Sequence, residues 1–282
     1  MQLGITIFAT DQSINPVELA VEAEARGFAA LWLPEHTHIP VSRATPWPVG
    51  DGLELPMKYK RSLDIVTTLA ACAQATTTLR LGSGIALAGQ HDPISYAKAW
   101  ATLDLLSNGR AVFGVGYGWN REEMADHGVE YRTRRAHVGE HVKAMQALWR
   151  DEQASFSGDF VEFESTWAWP KPIQQPRIPT YIGGGAGPKM FGAIADHADG
   201  WLPIGGAGIS AALPQLQEAW ATAGRSGAPK VVPFGVHPNA GKLEYYAGLG
   251  CEEAVLDVES LPRDEALRIL DGYAEFVDLL RE

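Results

Sequence analysis

The sequence predicts an α/β fold, a (β/α)8 barrel of the TIM type, and three observations point there. Short, almost wholly apolar strands alternate with helical stretches, the cycle returns eight times, and most strands run out into a polar or glycine-rich turn. Continuous apolar strands are expected where helices cover both faces of a sheet, and strand-helix alternation makes the sheet parallel. Eight such units favour closure into a barrel over an open sheet.

The first strand spans Leu3 to Ala9. Asn15-Pro16 opens the first helix, in which Leu19, Ala20 and Ala23 share a face; Asn15 can cap its free N–H groups, Glu18 completes a capping-box-like arrangement, and Gly27 suits the left-handed stop. Further strands are expected at Ala29 to Leu33, Leu79 to Ile85, Ala111 to Val115, Ile178 to Ile182, Gly200 to Ile204, Val231 to Val236 and Ala254 to Val258. Helices are expected between them near 62–76, 93–107, 134–150, 188–197, 210–224 and 240–248, with a last one over 264–281. Two connections are too long for simple turns. One insertion, 34–61, follows strand two; the other, 151–177, precedes strand five and holds a hairpin around Ser157-Gly158-Asp159.

With 46% hydrophobic and 20% charged residues in 282, the chain can bury a large core and gives no compositional case for disorder. A single domain over 1–282 is expected. Acidic residues outnumber Lys plus Arg by 34 to 23, which disfavours nucleic acid and anionic membranes as partners and leaves a small-molecule substrate. No basic leader precedes the first strand and no apolar run approaches the roughly 20 residues of a membrane span, so a cytoplasmic protein is expected. Cys72 and Cys251 lack metal-finger or redox spacing and read as packing residues.

Reacting groups of such a barrel sit after its strands. Strand two ends in Pro34-Glu35-His36-Thr37-His38, strand three in Gly82-Ser83-Gly84-Ile85, and strand four in Gly114-Val115-Gly116-Tyr117-Gly118-Trp119-Asn120. Strand five ends in Gly183, Gly184, Gly185, Ala186 and Gly187, ahead of a helix, and strand six in Pro203-Ile204 followed by Gly205 and Gly206. Backbone N–H groups of the glycine run and the positive end of the next helix can hold a phosphate. The spacing does not match the dinucleotide fingerprint, because Pro188 stands where a third glycine belongs. His36 lies where a proton is handled near neutrality. Arg132, Arg134 and Arg135 open the fifth-strand-side helix, where cations gain nothing from its dipole, so one of them can answer an anion elsewhere. A metal-dependent hydrolase is the rival suggested by His36-x-His38, but that superfamily also uses histidines after strands five and six, where this chain has glycines. No metal is therefore expected.

Several segments, in this order and spacing, resemble the bacterial luciferase-like monooxygenase family, especially its branch of F420-dependent oxidoreductases. They are Gly27-Phe28 to Glu35-His36, Leu81 to Ile85, Ser107-Asn108-Gly109-Arg110, Gly114 to Glu123, Arg134 with Glu140, Ile182 to Gly185, and Ala198-Asp199-Gly200-Trp201. The resemblance covers nearly the whole chain. It implies a flavin or deazaflavin ring across the barrel mouth, with its phosphate tail at the turns after strands five and six. It further implies a bulge with a non-prolyl cis peptide at Ser83, Gly84 and Ile85 beneath the ring, His36 as the residue handling the proton, and Asn120 and Arg134 near the cofactor or its loop. Hydride transfer between coenzyme F420 and a small organic substrate is the implied activity. An FMN-dependent two-component monooxygenase and a flavin binder without turnover are the alternatives. A homodimer is expected from the family. One departure is Trp119, where the related sugar-phosphate dehydrogenases have a glutamate; Tyr117, Trp119, Trp47, Trp167 and Trp169 instead suggest an aromatic pocket.

Overall fold

The computed structural model describes residues 1–49, 52 and 54–280. Its parallel strands are β1 (Gln2–Thr6), β2 (Ala30–Leu33), β3 (Arg80–Ser83), β4 (Ala111–Val115), β7 (Thr180–Gly183), β8 (Gly200–Leu202), β9 (Lys230–Val231), β10 (Phe234–Val236) and β11 (Glu253–Asp257). They run β10-β11-β1-β2-β3-β4-β7-β8-β9. The sheet closes because β9 and β10 are two halves of one barrel strand. Pro233 lies between them and has no N–H to give, so the ladder breaks there. The carbonyl of Pro233 still accepts from Val255 N–H at 2.8 Å, Phe234 N–H reaches Pro203 O at 2.9 Å, and Gly205 N–H reaches Phe234 O at 2.8 Å. Among the described residues the barrel therefore has eight staves, the seventh of them interrupted.

Helices α1 (Pro16–Ala25), α2 (Ile65–Ala75), α3 (Pro93–Leu106), α5 (Arg134–Arg150), α6 (Pro188–His197), α7 (Ile209–Thr222), α8 (Ala240–Gly248) and α9 (Arg263–Leu279) surround it. The end expected for the last helix at 281 lies outside the described residues, as do 50, 51 and 53 of the first insertion. The second insertion holds the expected hairpin, β5 (Ala154–Ser157) against β6 (Glu162–Thr166). A short helix not foreseen from the sequence, α4 (Arg121–Asp126), follows β4. Asn15 caps α1 as expected, accepting from Val17 N–H at 2.9 Å, and Gly27 takes φ +80°. Glu18 does not close a capping box; its carboxylate accepts from Arg263 at 2.6 Å.

Among the described residues two apolar cores result. The larger lies between strands and helices and includes Leu31, Leu81, Phe113, Trp100 and Trp149. The smaller fills the barrel with Ala30, Trp32, Val112, Leu202, Val232, Phe234 and Val255. Trp32 dominates it, stacking 6.3 Å from Tyr181 and meeting Phe234 edge-on at 5.8 Å. Room for this ring comes from inward-facing glycines: a Cβ at Gly82 would collide with the Trp32 indole, and one at Gly4 would lie 2.8 Å from a Glu253 oxygen. The barrel's floor is polar, with Trp32 Nε1 donating to Glu253 at 3.2 Å and Arg80 paired to Glu253 at 2.9 Å.

Some motifs named above build this scaffold. Arg110 donates to the carbonyls of Ala73, Thr76, Leu79 and Ser107, closing the C-terminal end of α2. Asp199 accepts from Thr180 N–H at 2.9 Å and pairs with Arg177 and Arg225. Both cysteines are buried, and burial pushes the Cys72 thiol up to about 12 and Cys251 up to about 11. Among the described residues no helix is long and apolar enough to cross a membrane.

Candidate active site

The C-terminal ends of the strands converge on one mouth, and β2 delivers Glu35 and His36 to it. The Glu35 carboxylate is buried and turned toward the segment after β3. It accepts from Leu87 N–H at 2.6 Å and pairs with His91 at 2.9 Å. Burial opposes a charge on His91, but the hydrogen bond and the charge of Glu35 outweigh it and hold the ring above its usual range. His91 also stacks on Tyr96 with centroids 3.9 Å apart.

Glu35 thus helps fix the bulge at Ser83, Gly84 and Ile85. The Gly84–Ile85 peptide is cis and is not followed by proline. Gly84 N–H donates to Leu33 O at 2.8 Å, Glu35 N–H to Ile85 O at 3.2 Å, and Ala86 N–H to Gly114 O at 2.7 Å, so β2 and β4 hold the bulge from both sides. The Ser83 hydroxyl donates to Gly114 O at 2.8 Å. Ile85 projects over the barrel axis between Gly116 and Gly183, where a Cβ on Gly183 would lie 2.6 Å from Ile85 Cγ2.

The glycines read together in the sequence divide into two kinds. Gly84 and Gly183 are filled against Phe234 and Ile85, Gly184 faces the Met190 methyl, and Gly206 faces the Tyr246 hydroxyl. Around Gly185, Gly187 and Gly205 no heavy atom beyond the adjoining residues lies within 4 Å of where a Cβ would stand, and Gly205 has φ +70°. Gly187 caps α6 and Ala186 precedes it, so the turn after β7 leads an open backbone into a helix N-terminus.

Asn120, after β4, is fully buried, and neither its Oδ1 nor its Nδ2 has a partner among the described residues. Leaving a buried amide unpaired costs about 1–3 kcal/mol per group, so such a side chain calls for a partner that the chain itself does not supply. A flat heterocycle with donor and acceptor edges and an anionic tail fits these features: an orphaned amide, a bulge and open glycine turns.

His36 Nδ1 lies 2.7 Å from Glu123 Oε2 in α4, and the other Glu123 oxygen accepts from Thr37 N–H at 3.1 Å. Glu123 is 1% exposed and His36 9%. The rings of Tyr59 and Trp119 flank His36 with centroids at 5.4 and 5.8 Å. Tyr59 also meets Phe8 at 4.6 Å and accepts from Trp47 Nε1 at 3.1 Å. Of the aromatic residues expected in one pocket, Trp47 and Trp119 meet here through Tyr59. Tyr117 instead lies under Arg135, and Trp167 and Trp169 are exposed beyond the hairpin.

His38 does not converge with His36; it bonds Asp126 at 3.0 Å and Thr37 Oγ1 at 3.0 Å. Among the described residues no group of three or more His, Cys, Asp or Glu is placed to hold a metal. Arg134 stacks on Tyr131 at 3.6 Å and donates to its carbonyl. A hollow of about 380 Å³ beside His237, Asp257 and Tyr273 borders the rim, and a groove of about 720 Å³ runs between α6 and α7; neither is lined by His36.

The chain as a whole has known counterparts. The family described as luciferase-like monooxygenase matches residues 9–242, and the chain belongs to it. A Mycobacterium tuberculosis protein, named only as uncharacterized, is 41% identical over 276 residues, covering 97% of this chain and 98% of its own. The F420-dependent glucose-6-phosphate dehydrogenase of Amycolatopsis mediterranei is 30% identical over 207 residues, which is 72% of this chain and 57% of that enzyme. The monooxygenase RslO1 of Streptomyces bottropensis superposes over 100% of both chains with a TM-score of 0.81 at 19% identity, a likeness of fold.

Proposed function

We propose that the protein is an oxidoreductase that moves a hydride between coenzyme F420 and a small organic substrate, with His36 handling the accompanying proton. The observation that carries this reading is His36 itself, seated on a buried carboxylate at the mouth, with Nε2 bearing no hydrogen bond among the described residues. The relative named as F420-dependent supports the choice of coenzyme over FMN.

When bound, the deazaflavin would supply the hydride acceptor or donor. Ser83, Gly84 and Ile85 would underlie its ring, and Asn120 would meet its polar edge. Gly183, Gly184, Gly185, Ala186 and Gly187, with Gly205 and Gly206, would take the tail; the open backbone at Gly185, Gly187 and Gly205 supports this best. His36 holds or releases a proton at Nε2. Tyr59, Trp119, Trp47 and Phe8 form a wall that excludes water and suits an apolar or ring-bearing ketone or alcohol better than a sugar phosphate. Two copies of the chain are proposed to associate, on family resemblance.

Fluorescence-quenching titration of the purified protein with F420 and with FMN tests the reading. Saturable quenching by F420 is expected. Quenching by FMN alone would move the protein to the monooxygenase alternative, and quenching by neither would overturn the cofactor site.

A further inference from the structure

We infer that Glu123 is a positioning residue that fixes the tautomer of His36, so that the neutral ring carries its proton on Nδ1 and offers a lone pair at Nε2. The inference rests on the reading of His36 as the proton-handling group and goes a step beyond it. Three observations carry it: the 2.7 Å contact from His36 Nδ1 to Glu123 Oε2, the 3.1 Å contact from Thr37 N–H to Glu123 Oε1, and the near-complete burial of both partners.

The chemistry of the two side chains gives them different freedoms. An imidazole can donate from either nitrogen, whereas an ionised carboxylate can only accept. Oε1 is already engaged by a backbone N–H, which can only donate. A buried carboxylate with one such bond needs a second donor, and the His36 ring is the group that reaches its other oxygen. Nδ1 must therefore carry the hydrogen. A glutamine at 123 could satisfy Thr37 equally well with its carbonyl, yet its amide could then donate to Nδ1 and reverse the tautomer. The carboxylate removes that choice.

The pairing joins the loop after β2 to helix α4, 87 residues further along the chain. Thr37 N–H binds the same carboxylate as its neighbour's ring, so Glu123 fixes both the backbone after β2 and the plane of the imidazole. A residue that only tied the loops together would need the Thr37 bond and would leave the ring free to select either tautomer.

The test is a long-range ¹H–¹⁵N correlation spectrum of the full-length, cofactor-free protein at neutral pH. His36 is assigned among the eight histidines by the signals lost in His36→Ala. The wild-type protein is expected to show the Nδ1–H pattern for His36, and Glu123→Leu to lose it in favour of Nε2–H or a mixture. A wild-type ring in the Nε2–H form, or an Nδ1–H ring that survives in Glu123→Leu, would overturn the assignment. If the Leu variant fails to fold, as judged by circular dichroism, the wild-type spectrum decides alone. Because no cofactor is added, failure of F420 to bind would sink the proposed function without touching this result.

Discussion

At the scale of single residues, His36 and the inward glycines make opposite kinds of demand. His36 is proposed to handle a proton, so His36→Ala is expected to lower turnover by about 10²–10⁴-fold, the range for a lost general acid or base. F420 affinity should be unchanged, which fluorescence titration measures; parental turnover would refute the role. At Gly114 the missing side chain provides space: a Cβ there would collide with the carbonyl oxygen of Ser83, which is backbone and cannot swing aside. Gly114→Ala should destabilise by about 1–3 kcal/mol or more in urea unfolding. Gly192 lies in α6 with no heavy atom near its Cβ direction, and Gly192→Ala should stabilise by about 0.5–1 kcal/mol.

His36 was legible in the sequence because a histidine just past a barrel strand is already at the mouth. Glu123 entered only as the end of the Gly114 to Glu123 stretch, because its partner lies in a distant loop that no spacing along the chain reveals. Tyr59 was hidden in the long insertion, whose path no periodicity describes. Nor can a sequence distinguish Gly183, filled by Ile85, from Gly185, which is open, since the difference resides in a neighbour's side chain.

At the scale of elements, carboxylates at element ends do much of the joining. Glu24 in α1 accepts from the N–H groups of Thr77, Thr78 and Leu79 at 2.9, 2.6 and 2.8 Å, anchoring the entry to β3. Burial works against its charge, but the three backbone donors and the Thr78 hydroxyl outweigh it and bring the group from 4.5 to about 2. A carboxylate depressed in the folded state stabilises fully above its unfolded value and loses that contribution as pH falls through the folded one. Wild-type protein should therefore be more stable than Glu24→Gln at pH 7, with the gap shrinking between pH 4.5 and 2. Equal gaps in urea midpoint at both ends of that window would show that the charge is not the anchor.

Most elements were expected within a few residues because apolar strands and capped helices alternate so regularly. The break in the seventh strand was missed, although Pro233 inside Val231 to Val236 was a usable signal. The six-residue α4 has no apolar stripe by which to recognise it.

At the scale of the whole molecule, β1 pairs with β11 from Gln2 to Thr6, so the last strand completes the cylinder that the first begins. One cooperative unit is proposed: tryptophan fluorescence and far-ultraviolet circular dichroism should give coincident urea transitions, and two separated transitions would divide the chain into domains. If F420 is the coenzyme, as proposed, its presence at about 100 times its Kd should add about 2.7 kcal/mol to that stability, seen as a rise in Tm.

The indole at the centre of the cylinder has a consequence for how such a protein can drift. Trp32 occupies volume that Gly4 and Gly82 leave vacant, so these three positions form one packing unit. A smaller residue at 32 would hollow the interior unless methyl groups returned at 4 or 82. Chains descended from this one should exchange bulk among those sites jointly, and Trp32→Leu combined with Gly82→Ala should recover part of the stability that Trp32→Leu alone loses.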